Sequence, residues 1–356
     1  MKTHSILHDL YAYNDWANSK VLDACEALAD EQLDAERPIG FGTLRNTLFH
    51  TLEAEKLWLG RWLDEPWRPL QADAQGVSVA EIRTQTETTA RSRNELLDRE
   101  SQSGFSRIVN FSDSGGDSHS FPIGDLMNHV SNHGIHHRSQ ALQYLKGFEK
   151  TFPGGLDYIF YKLAAPSCEL PSESVEPLRA YGLEVNSLPG SMVQFDAERL
   201  QRYLAYSDWA MQRVYDEAAK LEESQLDADL NIGTGTLRGN LQHMNHAEEW
   251  WLENWKEDKA AFPTTGNPQP LAKLHEEYLR LSEARNQFVG SLDSESGNRV
   301  VSAAAGGPIT CFRVTESLMQ LACHGTHHRG QCVNMLRHFG VTFGWIDFVV
   351  WIREQG

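Results

Sequence analysis

Three short segments of this 356-residue chain occur twice, in the same order and at nearly constant spacing. The first comprises two runs, Tyr13-Asn14-Asp15-Trp16-Ala17, which returns as Tyr206-Ser207-Asp208-Trp209-Ala210, and Gln32-Leu33-Asp34-Ala35, which returns as Gln225-Leu226-Asp227-Ala228, both 193 residues further on. Thr43-Leu44-Arg45, with His50, Glu55 and Trp58, is echoed at the same spacing by Thr236-Leu237-Arg238, with His243, Glu248 and Trp251. The third segment, Asn132-His133-Gly134-Ile135-His136-His137-Arg138-Ser139-Gln140, is echoed 191 residues later by Cys323-His324-Gly325-Thr326-His327-His328-Arg329-Gly330-Gln331. Chance explains one such match; three in sequence report a duplicated structural unit. Length agrees, since one domain takes roughly 150 residues. Between the copies, Ala165 to Met192 holds Pro166, Pro171, Pro177 and Pro189 and breaks any helical pattern. The expected organisation is a domain over 1–165, a linker over 166–194 and a second domain over 195–356.

Within each copy, apolar residues recur at helical spacing between start and stop signals. They predict helices over 4–29, 43–64, 78–101 and 122–146, then over 196–221, 236–258, 269–291 and 311–339. Thr43 and Thr236 each follow glycine and suit N-cap positions. Arg107 to Phe111 before Ser114-Gly115-Gly116-Asp117, and Arg299 to Val301 before Gly306-Gly307-Pro308-Ile309-Thr310, predict a small hairpin ahead of each fourth helix. Leu156 to Phe160 resembles Ile346 to Val350, and both predict short packing segments. The fold class is therefore all-α: two tandem up-and-down four-helix bundles with small hairpin insertions.

On the fourth helix of copy one, Leu126, Val130, His133, His137, Ala141 and Tyr144 step by three or four and share one stripe. Leu321, His324, His328, Cys332 and Met335 repeat it in copy two. Histidines at i and i+4 lie one above the other, close enough for both imidazoles to reach one ion. The candidate third ligand is His50 in copy one and His243 in copy two, each on the second helix, as a neighbouring helix of a bundle can supply it. A lone buried histidine is more often a hydrogen-bonded core residue. Two interruptions of an apolar stripe, at matching places in both copies, favour a metal site, because unpaired buried imidazoles cost desolvation.

The remaining polar residues near these positions read differently. His129 continues the series one turn earlier, but its counterpart is Gln320, which argues against a ligand. His136 and His327 point about 100° away and read as supporting or surface groups. His246 reads as a packing residue, with an extra ligand or substrate contact in copy two as the alternative. Glu55 and Glu248, five residues beyond His50 and His243, lie about 140° around the helix and read as salt-bridge or packing groups. Arg138 and Arg329 read as solvated or interface arginines. Gln140 and Gln331, three residues after the second helical histidine, are placed to hydrogen-bond at the site.

Composition narrows the function classes. Hydrophobic residues make up 40% and charged residues 23%, as in a packed globular protein. A formal charge of −17 repels phosphate backbones and anionic lipid, so neither nucleic acid nor membrane is an expected partner. No basic-then-apolar leader opens the chain and no apolar run approaches the roughly 20 residues that span a bilayer. Cys25, Cys168, Cys311, Cys323 and Cys332 form an odd set without CxxC spacing, which suits free thiols in a reducing compartment. Cys323 and Cys332, nine residues apart, face opposite sides of a helix and cannot clip one ion. The expectation is a cytoplasmic protein.

His50 with Glu55 and Trp58, the run Asn132 to Gln140, and their counterparts in copy two resemble the DinB-like and YfiT-like superfamily of four-helix metal-binding proteins. The resemblance covers both halves of the chain. It implies an H…HxxxH triad with open coordination positions, hence one ligand set of His50, His133 and His137 and another of His243, His324 and His328. It implies a divalent ion per repeat, nickel, zinc or iron. Some members are thiol-dependent transferases or isomerases using low-molecular-weight thiols, which implies such a thiol as co-substrate. Members pair through their helices, so the duplication is expected to build an intramolecular pseudo-dimer, with a homodimer of the tandem chain as a further partner. Three neutral imidazoles leave the ion's charge intact and a position vacant, as in catalytic zinc sites. These features point to a transferase, isomerase or hydrolase acting on a small molecule. The alternative is a non-catalytic metal-binding stress-response protein.

Overall fold

A computed structural model describes residues 2–66, 68–71, 73–113, 115–152, 155–164, 191–256, 262–263, 266–303 and 310–355. Most of the expected linker, Cys168 and the expected turn at Gly306 to Ile309 lie outside these residues. The first repeat runs β1 (Lys2–His4), α1 (Ile6–Glu26), the single turn α2 (Asp30–Leu33), α3 (Leu44–Trp62), α4 (Val79–Ser101), β2 (Ile108–Ser112), β3 (Ser118–Pro122), α5 (Ile123–Gly147) and α6 (Tyr158–Ala164). The second runs β4 (Ser191–Val193), α7 (Ala197–Ala218), α8 (Glu223–Leu226), α9 (Leu237–Trp255), α10 (Leu271–Gly290), α11 (Ser294–Gly297), β5 (Val300–Ala303), β6 (Thr310–Arg313), α12 (Val314–His338) and α13 (Phe348–Glu354).

All eight long helices fall within three residues of the ends read from periodicity, and side-chain caps fix the starts of four of them, α3, α4, α7 and α9. The Thr43 hydroxyl accepts from the Asn46 amide at 3.1 Å and the Thr236 hydroxyl from the Gly239 amide at 2.9 Å. Ser78 and Glu81 close a capping box on α4. Both hairpins form, with β2 antiparallel to β3 from Ile108↔Pro122 to Ser112↔Ser118 and β5 antiparallel to β6 from Val300↔Arg313 to Ala303↔Thr310. The short strand β1 pairs in parallel with β4.

Cross-helix contacts fix the helix directions. The Tyr11 hydroxyl donates to the Met127 carbonyl and the Asn14 amide to the Ser131 carbonyl, so α1 and α5 run parallel. His50 meets His133 and His137 while Trp58 meets His129, so α3 runs antiparallel to α5. His8 pairs with Asp98, Asp15 with Arg93 and Asp23 with Arg83, so α4 opposes α1. The four-helix reading stands, but strict up-and-down alternation becomes up, down, down, up. The connection over 63–78 is long enough to return along the length of a helix before α4 begins. The second repeat is built the same way, with Arg329 of α12 on Ser207 of α7, Asp208 of α7 on Arg285 of α10, and Gln212 of α7 on His275 of α10.

The repeated motifs are clamps on these helices. Buried Arg45 bonds Asp34 at 2.6 Å, Asp30 at 2.5 Å and the Val77 carbonyl at 2.7 Å, tying the start of α3 to α2 and to the approach of α4. Arg238 repeats this with Asp227, Glu223 and the Gln269 carbonyl. Arg93, 1% exposed, bridges Asp15 and Glu55 at 2.5 Å each and lies over the Tyr11 ring. Arg285 does the same between Asp208 and Glu248. Glu55 and Glu248 are therefore structural ion-pair partners, as their helical phase indicated.

The compact units exchange their tails. One unit comprises 7–150 and 345–356, the other 1–6 and 151–344. In the first, α13 lies on α5, burying Phe348, Trp351 and Ile352, and Arg353 pairs with Asp113 at 3.1 Å. In the second, α6 lies on α12, burying Tyr158, Tyr161 and Leu163, and Lys162 meets Glu316 at 3.4 Å with both side chains almost fully enclosed. The two resembling segments are thus short helices, each completing the core built from the other stretch of sequence. Replacing the buried Trp351 by alanine should lower stability by about 3 kcal/mol or more. The measurement is the shift of the urea midpoint, with the exposed Trp345→Ala as the control that leaves it in place.

A candidate metal centre in each repeat

His50 reaches the interior from α3, and His133 and His137 from consecutive turns of α5. The antiparallel contact of the two helices sets His50 Nε2 3.1 Å from His133 Nε2, and His133 Nε2 lies 3.1 Å from His137 Nε2. In the second repeat His243 Nε2 lies 3.1 Å from His324 Nε2, and the His324 and His328 rings are 4.3 Å apart. In each trio one ligand-capable atom per residue lies within 4.8 Å of the others. These are the six histidines picked out by sequence, brought together as two separate threes. His246 and His129 fall outside both groups.

One ring nitrogen is aimed by a neighbour. His137 Nδ1 lies 2.7 Å from Gln140 Oε1, an atom that only accepts, so the proton sits on Nδ1 and the Nε2 lone pair faces the trio. The amide end of Gln140 in turn donates to His136 Nε2 at 3.2 Å. His328, Gln331 and His327 form the same relay, with distances of 2.8 and 2.9 Å. His136 and His327 thus support the site from behind. Orientation of a ligand ring through its second nitrogen is typical of metal-binding histidines.

A glycine closes each relay. Gly40 and Gly233 both have φ of +54°, a left-handed conformation, and a Cβ on Gly40 would lie 2.7 Å from Gln140 Oε1. The loop backbone lies against the glutamine in both repeats because no side chain intervenes.

Burial disfavours the protonated form of five of the six rings. It pushes His50 down to about 3 and His133, His324 and His328 well below the usual 6.5, the neighbouring rings adding to the effect. His243 is also lowered, by burial first. Three neutral rings with nitrogens at 3.1 Å cannot all be joined by hydrogen bonds, since each Nε2 offers either a proton or a lone pair. A cation at the centre satisfies all three. With nitrogen ligands about 2.1 Å from an ion, pairs lie about 3.0 Å apart at 90° and about 3.4 Å at the tetrahedral angle, so the observed spacing fits three ligands on one face of an ion.

The surroundings of the trios differ. Phe41 stacks on His50 with centroids 3.7 Å apart. A cleft of about 30 Å³, walled by Leu22, Leu52 and Ile82, runs to His137 beside Arg138. At corresponding places the second repeat carries Met211, Tyr215 and Cys332, buried in its hydrophobic core. Cys332 is buried and its thiol is pushed up to about 12, so it is a core residue. Cys25, Cys311 and Cys323 are free thiols as well.

Arg138 and Arg329 correct the reading of solvated arginines, being 4% and 1% exposed. Arg138 donates to Asn14 at 2.8 Å and Asn18 at 3.1 Å and lies over the Tyr13 ring; Arg329 donates to Ser207, Tyr206 and Thr326. Each locks its histidine-bearing helix to the first helix of the repeat. The signal was present in the Tyr-Asn/Ser pair of the first repeated motif, which supplies the partners.

Fold and site together define a tandem four-helix protein with a three-histidine centre in each half. The DinB family profile matches residues 1–167 and 192–355, and the chain belongs to that family. No curated protein matches it. Among the described residues no helix is long and apolar enough to cross a membrane.

The depressed ring pKa values set a pH dependence. Unfolded histidines titrate near 6.5, whereas burial holds His50 and His129 at about 3 in the folded chain. Between those values the unfolded state binds protons that the folded state refuses, so the stability of metal-free protein falls as pH drops through that window. Urea midpoints taken from pH 7 to pH 4 should show this slope. His129→Gln, which installs the residue found at 320, should flatten it.

Proposed function

We propose that His50, His133 and His137 bind one divalent metal ion and that His243, His324 and His328 bind a second. The supporting observation is the convergence of three neutral Nε2 atoms, one of them fixed as a lone-pair donor by Gln140 or Gln331. Nickel, zinc and iron all accept imidazole nitrogen. A divalent ion held by three neutral ligands supplies Lewis acidity and lowers the pKa of a bound water or thiol.

On this reading the chain is a metal-dependent enzyme acting on a small molecule, either a thiol-dependent transferase or isomerase or a hydrolase. The cleft beside His137 supports it, since its volume of about 30 Å³ admits a water-sized reactant next to a ligand ring. The chain's own residues would orient His137 through the relay to His136, exclude water with Phe41 over His50, and hold α5 in place through Arg138. Membership of the family and the free thiols of Cys25, Cys311 and Cys323 fit a cytoplasmic protein with a low-molecular-weight thiol as co-substrate. The alternative of a non-catalytic metal-binding protein draws on the burial of Met211, Tyr215 and Cys332, which stand where the first repeat has its cleft-lining Asn18, Leu22 and Ala141.

Elemental analysis of untagged protein should find about two equivalents of metal per chain and about one after His133→Ala. No metal after expression in metal-supplemented medium ends the proposal. Gln140→Leu removes the acceptor that fixes the His137 tautomer and should weaken the first site by about tenfold to a hundredfold, with the second unchanged. Competition with a chelating dye reads this directly.

A further inference from the structure

A second cavity of the first repeat, of about 260 Å³, opens where α3 ends. Its wall is formed by Arg61 at the end of α3, by Asp64, Glu65 and Arg68 in the segment that follows, and by Phe111 of β2. None of these belongs to the histidine trio. The space is far larger than the cleft beside His137 and has room for a molecule of several non-hydrogen atoms.

Arg61 is held in place but mostly unspent. Its guanidinium lies 4.5 Å from the Trp58 ring and 4.8 Å from the Phe111 ring, and Nη2 donates to the Ser112 carbonyl at 3.0 Å. A guanidinium carries further N–H donors, and no carboxylate pairs with Arg61 among the described residues. Asp113, whose charge reaches it, is bonded instead to His119 at 3.0 Å and to Arg353 at 3.1 Å. Arg68, by contrast, is held by buried Glu53 at 2.7 Å.

Two acids line the same cavity unpaired. Asp64 and Glu65 follow Arg61 by three and four residues, the spacing at which a continuing helix joins opposite charges. Here α3 ends at Trp62, Asp64 turns left-handed with φ of +56°, and the Glu65 amide bonds back to the Gly60 carbonyl at 2.9 Å. The Glu65 carboxylate folds over the helix end, where a Cβ on Gly60 would lie 3.2 Å from its Oε2. Neither acid has a cationic partner among the described residues. The second repeat lacks these elements. Asn254 stands in place of Arg61, with its amide donating to the Trp250 carbonyl at 2.7 Å, while Glu253 replaces Gly60 and Ala303 takes the hairpin position of Phe111.

We propose that this cavity binds a small zwitterion of the α-amino-acid class, one per chain, with its carboxylate on Arg61 and its ammonium group on Asp64 and Glu65. A guanidinium fork matches the two oxygens of a carboxylate, and the flanking rings hold that fork still before the ligand arrives. An anion would meet two carboxylates, and a cation would meet Arg61. Only a ligand carrying both signs finds an opposite charge at each end.

The test is a ligand-observed NMR titration of the full-length chain with L-alanine in a chelator-treated, non-zwitterionic buffer. Propionate and ethylamine, each carrying one of the two charges, are titrated beside it. L-Alanine should bind at one site per chain and about tenfold or more tighter than either. Arg61→Asn, which installs the residue found at 254, should weaken alanine binding by about tenfold or more. Asp64→Asn combined with Glu65→Gln should weaken it by a similar factor while leaving propionate binding unchanged or tighter. Both acids are exposed, so the double variant carries the test if circular dichroism shows Arg61→Asn to be unfolded. No alanine binding at millimolar concentrations, a variant titration that superimposes on that of the unmodified chain, or propionate binding as tight as alanine would each overturn the inference. Because metal is absent throughout, the result stands apart from the reading of the histidine centres.

Discussion

The contact between the second and fourth helices of each repeat carries the rest of the molecule. It brings three imidazole nitrogens into one small space, where burial and the neighbouring rings both disfavour the charged form. Such an arrangement persists only if the helices cannot slide. Arg45 and Arg238 fix where the second helix begins, Arg93 and Arg285 join the first three helices, and Arg138 and Arg329 tie the fourth to the first. Each of these guanidiniums is almost fully enclosed and bonded to acceptors, as a buried charge must be. The duplicated motifs thus preserve a scaffold as much as a site.

The trios were legible in the sequence because helical periodicity converts spacing into direction. His133 and His137 had to share a face, and the repeat of that pattern at His324 and His328 removed the ordinary explanation of a single core histidine. Gln140 and Gln331 were legible for the same reason. The arginines were legible only as far as the repeated Tyr-Asn/Ser motif that supplies their partners, since nothing in a helical wheel shows that Asn14, Asn18 or Ser207 stands opposite on another helix. Helix directions were also hidden: the connection over 63–78 has length enough either to reverse the chain at once or to carry it back first.

The least legible feature was the exchange of α6 and α13. Both tails present a similar apolar pattern, and both cores present a similar groove, so either pairing satisfies hydrophobic burial. Specificity comes from polar details, such as Gln320 bonding the Ile159 amide and Asp113 bonding Arg353. Asp157 consequently escaped notice as a partner of Gln320, because it belongs by sequence to the other copy.

That exchange changes what counts as a half of this protein. A polypeptide severed near its middle yields one fragment carrying its neighbour's cover and lacking its own, and a second fragment in the mirror situation. Its copies inherit as one piece, and any rearrangement of the gene must keep both ends together to leave either core sealed.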